Sequence, residues 1–243
     1  MRKDELVIAE AFAGAVRIHA ARTTAMVEAA RRAHDCLPTS IAALGRTMSV
    51  AALMASDLKS PMEHVQIRLD GGGPCGLINV QADGNCRVRG YIQNPHVHIV
   101  KADHHEDVGR AVGIDGMLRV SRDMGLKEPF TGVVPLQTGE IGQDFAYYYA
   151  VSEQTPSVVS VGVLIDTDYS IAASGGLLVQ ILPGAPEEII DRVEEVTRTM
   201  RPMTTYMQAD QSVADIIHCL YPDAAILQHR DVRWYCGCSK EHF

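Results

Sequence analysis

The sequence predicts an α/β (α+β) fold, with a core domain of mostly antiparallel sheets packed on helices and a helical linker after it. Three observations support this prediction. Runs of alternating apolar and polar residues recur between glycine-rich turns, and a period of two is typical of half-buried strands. Segments 24–36 and 41–58 have helical composition and spacing. After Pro183 the pattern changes to short amphipathic helices.

Composition limits the possible functions. A chain of 243 residues can hold one good core and an appendage. Its net charge of −8 argues against general binding to nucleic acid or to an anionic membrane. The longest uncharged apolar stretch, 47–56, is far too short to span a bilayer. The cysteines are scattered apart from a terminal pair, and Met1 opens no signal-peptide pattern, so we expect a cytoplasmic protein.

Period-two alternation predicts the strands of the core domain. In the first strand region Val16 and Ile18 are expected to point inward, whereas Arg17 and His19 are expected to point outward. The strand around Gly175 and Gly176 is expected to be interrupted there. The predicted strands lie within residues 5–20, 65–69, 77–81, 86–91, 117–122, 157–165 and 169–182.

Helical spacing predicts the elements that cover these strands. The helix over 41–58 carries small residues that let it lie close to a sheet, and we expect it to be a buried core helix. Residues 125–139 are predicted to form a long loop, which precedes another helix. Core packing is a stronger interpretation of that helix's aromatic stripe than a binding surface. The stripe consists of Ile141, Phe145, Tyr148 and Tyr149.

Four histidines lie close together in residues 94–107, beside several acidic residues. Their spacing does not match a His-x3-His pair on a helix, and no zinc-enzyme signature surrounds them. A solvated polar loop is therefore the stronger hypothesis, and a metal site is the weaker one. The histidines are His96, His98, His104 and His105.

Residues 184–233 are predicted to be a linker of two or three small amphipathic helices without a core of their own. Pro186 begins the first helix, and Ser212 with Asp215 resembles a capping box for the last. The apolar faces need another surface to cover them, and detachment would expose two hydrophobic faces together, so the segment is a candidate moving part. The candidate interaction residues are Ile189, Val193, Val196, Ile216, Ile217 and Leu220.

Cys236 and Cys238 flank a single glycine near the end of the chain. Two thiolates at this spacing supply half of a tetrahedral zinc site, or they form an easily reduced disulfide. The second chemistry leaves open a thiol-disulfide oxidoreductase, although no Cys-x-x-Cys on a βαβ unit is present. A zinc-ribbon adaptor for nucleic acid is a third interpretation, which the negative charge disfavours. We find no nucleophile–base pair or nucleotide-binding loop.

Several motifs together resemble one known family, the redox-regulated 33-kDa heat-shock proteins. The motif Ser-Glu-Gln-Thr-Pro-Ser after a tyrosine-rich helix is specific, and the resemblance extends in register through nearly the whole chain. The segments that carry it are 45–54 (GRTMSVAALM), 123–130 (DMGLKEPF), 132–136 (GVVPL), 152–157 (SEQTPS) and 236–239 (CGCS).

The resemblance implies an ATP-independent holdase chaperone that captures unfolding proteins under oxidative stress. It implies a core domain over 1–183, a metastable linker over 184–233 and the start of a zinc-binding redox domain over 234–243. In the family, zinc is held by Cys-x-Cys and a later Cys-x-x-Cys, and oxidation of these cysteines to disulfides releases the zinc. Only Cys236 and Cys238 match here, so we expect the natural chain to continue past Phe243. We expect zinc to be bound weakly or not at all by these residues alone, and a homodimer formed by linker exchange.

Overall fold

The computed structural model describes residues 2–209 and 211–236. Two sheets enclose a long central helix, and three shorter helices cover the outer face of one sheet. This arrangement confirms the predicted α+β core of mostly antiparallel sheets packed on helices. The strands are β1 (Glu5–Ala11), β2 (Val16–Arg22), β3 (His64–Asp70), β4 (Ile78–Asp83), β5 (Arg87–Ile92), β6 (Met117–Asp123), β7 (Phe130–Pro135), β8 (Ser157–Ile165), β9 (Ile171–Ile181), β10 (Ala225–Asp231) and β11 (Arg233–Trp234).

The helices agree with most of the predicted positions. They are α1 (Thr24–His34), α2 (Pro38–Ala55), α3 (Val108–Val112), α4 (Gly142–Val151), α5 (Glu187–Thr199), α6 (Met203–Gln208) and α7 (Val213–Leu220). Helix α2, with eighteen residues, is the longest helix in the described part of the chain, and all of its residues except Arg46 are buried. Helix α2 is enclosed because it touches strands of both sheets.

The five-stranded sheet has the order β10-β1-β2-β9-β8, and each neighbouring pair is antiparallel. Both of its faces are covered. One face packs with α2 in the larger apolar core, and the other packs with α5, α6 and α7 in a second apolar core. The six-stranded sheet has the order β11-β5-β4-β3-β6-β7, and one of its faces also lines the larger core.

The close packing of α2 depends on a glycine. A Cβ atom added at Gly45 would lie 2.6 Å from Val27 Cγ1 of α1 and 2.9 Å from Val163 Cγ2 of β8. Real Cβ atoms do not approach other atoms so closely, so any larger residue at this position would push α2 away from both neighbours. Small residues therefore let α2 lie close to the sheet, as predicted.

Three expectations about local structure were wrong. His19 is fully buried, because the face of β2 that it occupies is covered by the end of α2 rather than by solvent. Residues 125–139 are not a continuous loop, since β7 pairs with β6 there. Strand β9 continues through Gly175 and Gly176, which pair with Arg22 and Ala21. The amphipathic helices predicted after Pro183 are α5, α6 and α7, which end at Leu220 before β10 and β11.

The motif Ser-Glu-Gln-Thr-Pro-Ser forms a polar contact under α4. The Tyr148 hydroxyl donates a hydrogen bond to Glu153 Oε1 over 2.5 Å, and Arg122 Nη2 lies 3.4 Å from the same oxygen. Tyr148 and Tyr149 are buried, as are Ile141 and Phe145, so the aromatic stripe is part of the core as predicted. Burial of the Tyr148 ring is compatible with the motif because Glu153 accepts a hydrogen bond from the Tyr148 hydroxyl.

Candidate functional site

The candidate site is the group of helices α5, α6 and α7, called here the docked helices. Local sequence defines their starts. Pro186 precedes α5 and Pro202 precedes α6, where a missing N–H costs nothing. At α7 the Ser212 hydroxyl accepts a hydrogen bond from Asp215 N over 3.1 Å, and Asp215 Oδ2 accepts one from Ser212 N over 3.0 Å. The predicted capping box is therefore confirmed.

The docked helices cover the sheet through only part of their predicted apolar stripe. Val193 is 1% exposed, and both Ile216 and Ile217 are fully buried. Ile189, Val196 and Leu220 are partly buried at the margin of the second core. Of the thirteen residues of α5, only Val193 is fully buried, so this helix is held on the sheet mainly by partly exposed contacts.

Sequence reasoning missed four residues of the same interface. Met203, Tyr206 and Met207 of α6 and Val213 of α7 are all buried against the sheet. The first three are spaced at i, i+3 and i+4, which is the spacing of one helical face and is visible in the sequence. This short segment is hard to recognise because Pro202 and the polar residues around it make it resemble a loop.

Charged side chains of the core domain hold the backbone of the docked helices. Arg22 Nη2 donates to the Gln211 carbonyl over 2.8 Å, and Arg22 Nη1 donates to the Met207 carbonyl. Glu5 Oε1 accepts a hydrogen bond from Val213 N over 3.0 Å. Arg22 thus contacts the end of α6, and Glu5 holds the start of α7. Hydrogen bonds of this charged type are stronger than neutral ones.

Aromatic contacts complete the outer margin of the site. The guanidinium of Arg192 lies 4.7 Å from the centre of the Phe12 ring, and the Phe12 and Tyr221 rings meet edge-to-face at 6.1 Å. A cation–π contact at a partly exposed position stabilises by about 0.5–1 kcal/mol. Helix α5 is therefore the least firmly held of the three.

The chain after the docked helices returns to both sheets. Strand β10 pairs with β1, and β11 pairs in parallel with β5. The Trp234 ring packs edge-to-face on His34 at 5.7 Å, and Tyr235 N donates to the Val88 carbonyl over 3.0 Å. Cys236 is exposed just beyond this attachment, whereas Cys238 lies outside the described residues.

Three of the remaining cysteines, Cys36, Cys75 and Cys86, are buried, unlike Cys236. Burial raises the pKa of the Cys36 thiol to about 12 and that of Cys86 to about 11, and it also raises the pKa of Cys75. The reactive form of cysteine is the thiolate, so these three thiols are unreactive near neutral pH. Cys219 is exposed on α7. The buried cysteines are therefore core residues.

The histidine-rich segment does not assemble a metal site. His98 Nε2 lies 3.4 Å from Glu106 Oε1, and His96 Nε2 lies 3.4 Å from Asp35 Oδ2. Across residues 2–209 and 211–236, no three His, Cys, Asp or Glu side chains come together in a way that could hold a metal ion. The histidine pairs are thus separate surface contacts.

Comparison with known proteins identifies the family. The model of the Hsp33 protein family matches residues 4–243. The chain belongs to the Hsp33 family. The 33 kDa chaperonins of Geobacillus kaustophilus and Halalkalibacterium halodurans are each 44% identical to it over 241 residues, which cover 98% of this chain and 82% of each relative.

A solved structure supports the same assignment. The crystal structure of the 33 kDa chaperonin from Thermotoga maritima, a heat shock protein 33 homologue, superposes with a TM-score of 0.91 at 32% identity, covering 99% of this chain and 83% of that one. Membership of the Hsp33 family gives this protein a chaperone function in the stress response, without enzymatic activity. In the described part of the chain, no helix has the length and apolarity that crossing a membrane requires.

Zinc, which the resemblance implies, fits the residues of this chain incompletely. A structural zinc site needs four ligands, and no third ligand gathers near Cys236 among the residues that the structure describes. The sequence offers Cys238 as a second thiolate and no Cys-x-x-Cys motif. These residues by themselves therefore supply half of a site.

Proposed function

We propose that this Hsp33 family member is an ATP-independent holdase that exposes client-binding surface when the docked helices leave the sheet. The observation that carries the proposal is the contact between these helices and the outer face of the five-stranded sheet. Both sides of that contact are apolar, with β-branched and aliphatic residues from β1, β2 and β9 beneath Val193, Ile216 and Ile217. One undocking event would expose two apolar surfaces together.

The proposed surface has the properties that a holdase needs. Clients that unfold expose varied apolar segments, and an adaptable apolar surface binds many of them. Met203 and Met207 supply flexible side chains at the centre of the interface, and both are buried while the helices are docked. Hiding them in the resting state would prevent self-association, because large exposed apolar patches promote aggregation.

We propose that Cys236 and Cys238 form the redox-sensitive part of the protein. Hydrogen peroxide would oxidise two thiols to one disulfide, with release of two water molecules, so that both thiol protons and both electrons are accounted for. The position of Cys236 supports a mechanical link. It directly follows β11, which is connected through Val232 to β10, and β10 is connected to α7. A change at Cys236 would therefore act on the attachment of the docked helices.

We propose further that zinc belongs to the four-cysteine arrangement of the family and not to these 243 residues alone. Two thiolates leave half of a tetrahedral shell unfilled, so we expect weak binding or none. The restraint on the docked helices would then come from their own packing, and the helices would be partly released even in reducing buffer. For these 243 residues alone we therefore expect chaperone activity that changes little on oxidation, whereas the redox response requires all four cysteines of the family arrangement.

The proposed partners are unfolding or oxidatively damaged proteins in the cytoplasm, with no nucleic acid or membrane. Three buried thiols with raised pKa values suit a reducing compartment. We also propose a homodimer in which the docked helices exchange between two copies. The same contacts to Arg22, Glu5 and the sheet would be made by the partner's helices, so exchange costs little beyond association.

Suppression of client aggregation tests the proposal. Light scattering of a chemically unfolded client, without ATP, is measured with the reduced and the peroxide-treated chain. We expect suppression in both states, and no suppression in either state would refute the holdase function. Suppression that requires oxidation and is lost in Cys236→Ser would show that the cysteine pair alone controls activity, contrary to the partly released state proposed here.

Metal content is measured on the same preparation. After purification in zinc-containing buffer and brief chelation, elemental analysis should find far less than one zinc per chain. Stoichiometric zinc that resists chelation would contradict the proposed half-site, and comparison with Cys236→Ser would show whether the metal depends on this thiol.

A further inference from the structure

Strand β8 is the outer strand of the five-stranded sheet, and along its length it pairs only with β9 among the described residues. The direction of its backbone groups follows from the register. Ile181 N donates to the Pro156 carbonyl over 3.0 Å, and Thr23 N donates to the Ser174 carbonyl over 2.9 Å on the other side of β9. Hydrogen-bonded pairs alternate along an antiparallel ladder. The N–H and C=O groups of Val161, Val163 and Ile165 therefore point away from the sheet.

The sequence of this edge lacks the charged residues and prolines that often protect an outer strand. Natural edge strands are blunted by charged residues, by proline or by a short length. The nine residues of β8, SVVSVGVLI, contain no charged residue and no proline. Their β-branched composition also favours strand pairing. The unpaired edge is thus suited to accept another strand.

Only part of the edge is accessible. At its start, a Cβ added to Gly142 of α4 would lie 3.1 Å from the Val159 carbonyl oxygen, so this helix covers the first half. From Ser160 to Ile165 the edge lines a groove of about 730 Å³. Ligand pockets are typically about 300–1,000 Å³. The groove is therefore large enough for a short extended peptide.

The two walls of the groove determine what fits. One wall is α6, which approaches closely because Gly162 has no side chain; a Cβ there would be 2.8 Å from Thr204 Cγ2. The other wall contains Arg46 and Lys101, and each of these places a nitrogen 2.8 Å from a Glu140 carboxylate oxygen. Both of these positive charges are already paired with Glu140, and the lining also contains the acidic residues Asp103 and Glu106, so the groove does not favour an acidic ligand. The uncharged strand edge between the two walls favours an apolar segment.

We infer that the open half of β8, Val161 to Ile165, binds an extended apolar segment of an unfolded protein by adding it as a sixth strand to this sheet. The inference rests on the proposed holdase function and names a second contact for its clients. Main-chain hydrogen bonds would supply affinity without selecting a sequence, which suits a chaperone with many clients. A second copy of the chain fits less well, because its own α6 and its own Arg46 wall would meet those of the first.

Strand addition can be tested with a peptide that has backbone N–H groups along only one of its two edges. The probe is a fluorescent acetylated hexapeptide of alternating threonine and valine, N-methylated at every second residue so that it cannot stack with itself. Its match is the same peptide methylated at every residue, which has no N–H to donate. Anisotropy with the full 243-residue chain should show binding of the first peptide only. Equal binding of both, or binding of neither, would overturn the inference.

Two substitutions locate the binding site. Val163→Pro removes the outward N–H, which proline tolerates on an edge strand, and Val163→Ala loses similar side-chain packing but keeps that N–H. We expect Val163→Ala to bind the probe within about twofold of wild type and Val163→Pro to bind it about tenfold more weakly, from the loss of one hydrogen bond. Peptide should also slow hydrogen exchange of the Val161 and Val163 amides. Equal affinities of the two variants would contradict strand addition at β8.

Two further readings separate this inference from the holdase function. If wild type suppresses aggregation but does not bind the probe, strand addition is wrong and the holdase function stands. If the wild-type chain does not suppress client aggregation, the holdase function is wrong, and binding of the probe alone tests strand addition at β8. Molar mass by light scattering that is halved in Val163→Pro and unchanged in Val163→Ala would show that a second copy occupies the edge, which also overturns the inference.

Discussion

Helix α2 and the docked helices cover opposite faces of one sheet, and they differ in how completely they are enclosed. Helix α2 lies between two sheets, and every residue from Pro38 to Ala55 except Arg46 is buried. The docked helices meet one sheet and leave their other faces in solvent, so that α5 buries only Val193. Local stability follows the buried apolar surface. One sheet thus has a deeply buried cover on one face and, on the other face, a sparsely buried cover that we propose to be removable.

The composition of the two sets of helices matches this difference. Alanine and glycine in α2 allow close approach from both sides, whereas α5 contains charged residues at most positions around its single stripe. A helix that is apolar on all sides belongs inside a protein, and one with a stripe belongs at its surface. The residue types therefore match the difference in burial, and the proposed difference in stability can be tested by truncating equivalent side chains on each side.

The largest effect is expected for Leu53→Ala in α2. Leu53 is fully buried, so the variant should lose about 2–5 kcal/mol of unfolding free energy through lost transfer energy and a cavity. Urea unfolding monitored by circular dichroism is the measurement. Because α2 belongs to the core of both sheets, hydrogen exchange should accelerate throughout the domain. Faster exchange confined to the docked helices would refute the proposed role of α2.

A smaller and local effect is expected for Ile217→Ala in α7. Removing its side chain should weaken docking by about 2–4 kcal/mol, with little loss in the larger core because the helices leave the sheet first. Hydrogen exchange should accelerate in residues 187–220 and remain slow in α2, and suppression of client aggregation should increase. Val196→Ala, at a partly buried position, is the matched control. Uniform acceleration in both regions would mean that the helices are not a separate unit.

Loss of the Arg22 hydrogen bonds should also weaken docking of the helices, by somewhat less than loss of the Ile217 side chain. Arg22→Gln removes charged hydrogen bonds to α6 and to Gln211, and we expect docking to weaken by about 1.5–3 kcal/mol. The control is Arg17→Gln on the same strand. Arg17 pairs with Glu10 at a partly exposed position, where such pairs contribute about 0–1 kcal/mol. Equal exchange rates of the docked helices in the two variants would show that Arg22 does not hold them.

The smallest effect concerns pH and the α2 side of the sheet. His19 Nδ1 lies 2.7 Å from Ser56 Oγ, and burial lowers the pKa of His19 below its ordinary value of 6.5. Just below pH 6.5 the unfolded chain therefore binds more protons than the folded chain. The unfolding free energy should decrease as the pH is lowered, by at most about 1.4 kcal/mol per pH unit. The depressed pKa gives stability that is present above pH 6.5 and lost as the pH falls through the folded value.

Asp4 acts in the opposite direction, so a variant is needed to isolate His19. Burial raises the pKa of Asp4 to about 6, which makes the folded chain the stronger proton binder between its ordinary value of 3.8 and about 6. The quantity to measure is the difference in unfolding free energy between wild type and His19→Gln from pH 7.5 to 5. A difference that does not change with pH would show that His19 titrates normally in the folded state.

Local sequence determined much of this protein. Period-two alternation placed β3, β4, β5 and β6, and helical spacing placed α2 and α5. The start of α7 was fixed by Ser212 and Asp215, since a capping box needs only residues three positions apart. These features could be predicted because each depends on the periodicity or chemistry of neighbouring residues.

The motifs of the sequence also identified the family. Five short segments between residues 45 and 239 resemble the 33-kDa heat-shock proteins. The match of the Hsp33 family to residues 4–243 confirms the resemblance. The boundaries 1–183, 184–233 and 234–243 and the roles of Cys236 and Cys238 stay predictions. Their measurement requires the redox and exchange experiments described above.

Tertiary structure decided the rest. Strand β10 pairs with β1 although more than two hundred residues separate them in the sequence. The sequence of β7 resembles a loop, and β7 is a strand because it pairs with β6. His19 was expected in solvent because alternation shows that two faces differ but not what covers each face. The position of β8 at the edge likewise depends on sheet order. Long-range pairing sets that order, and no local pattern records it.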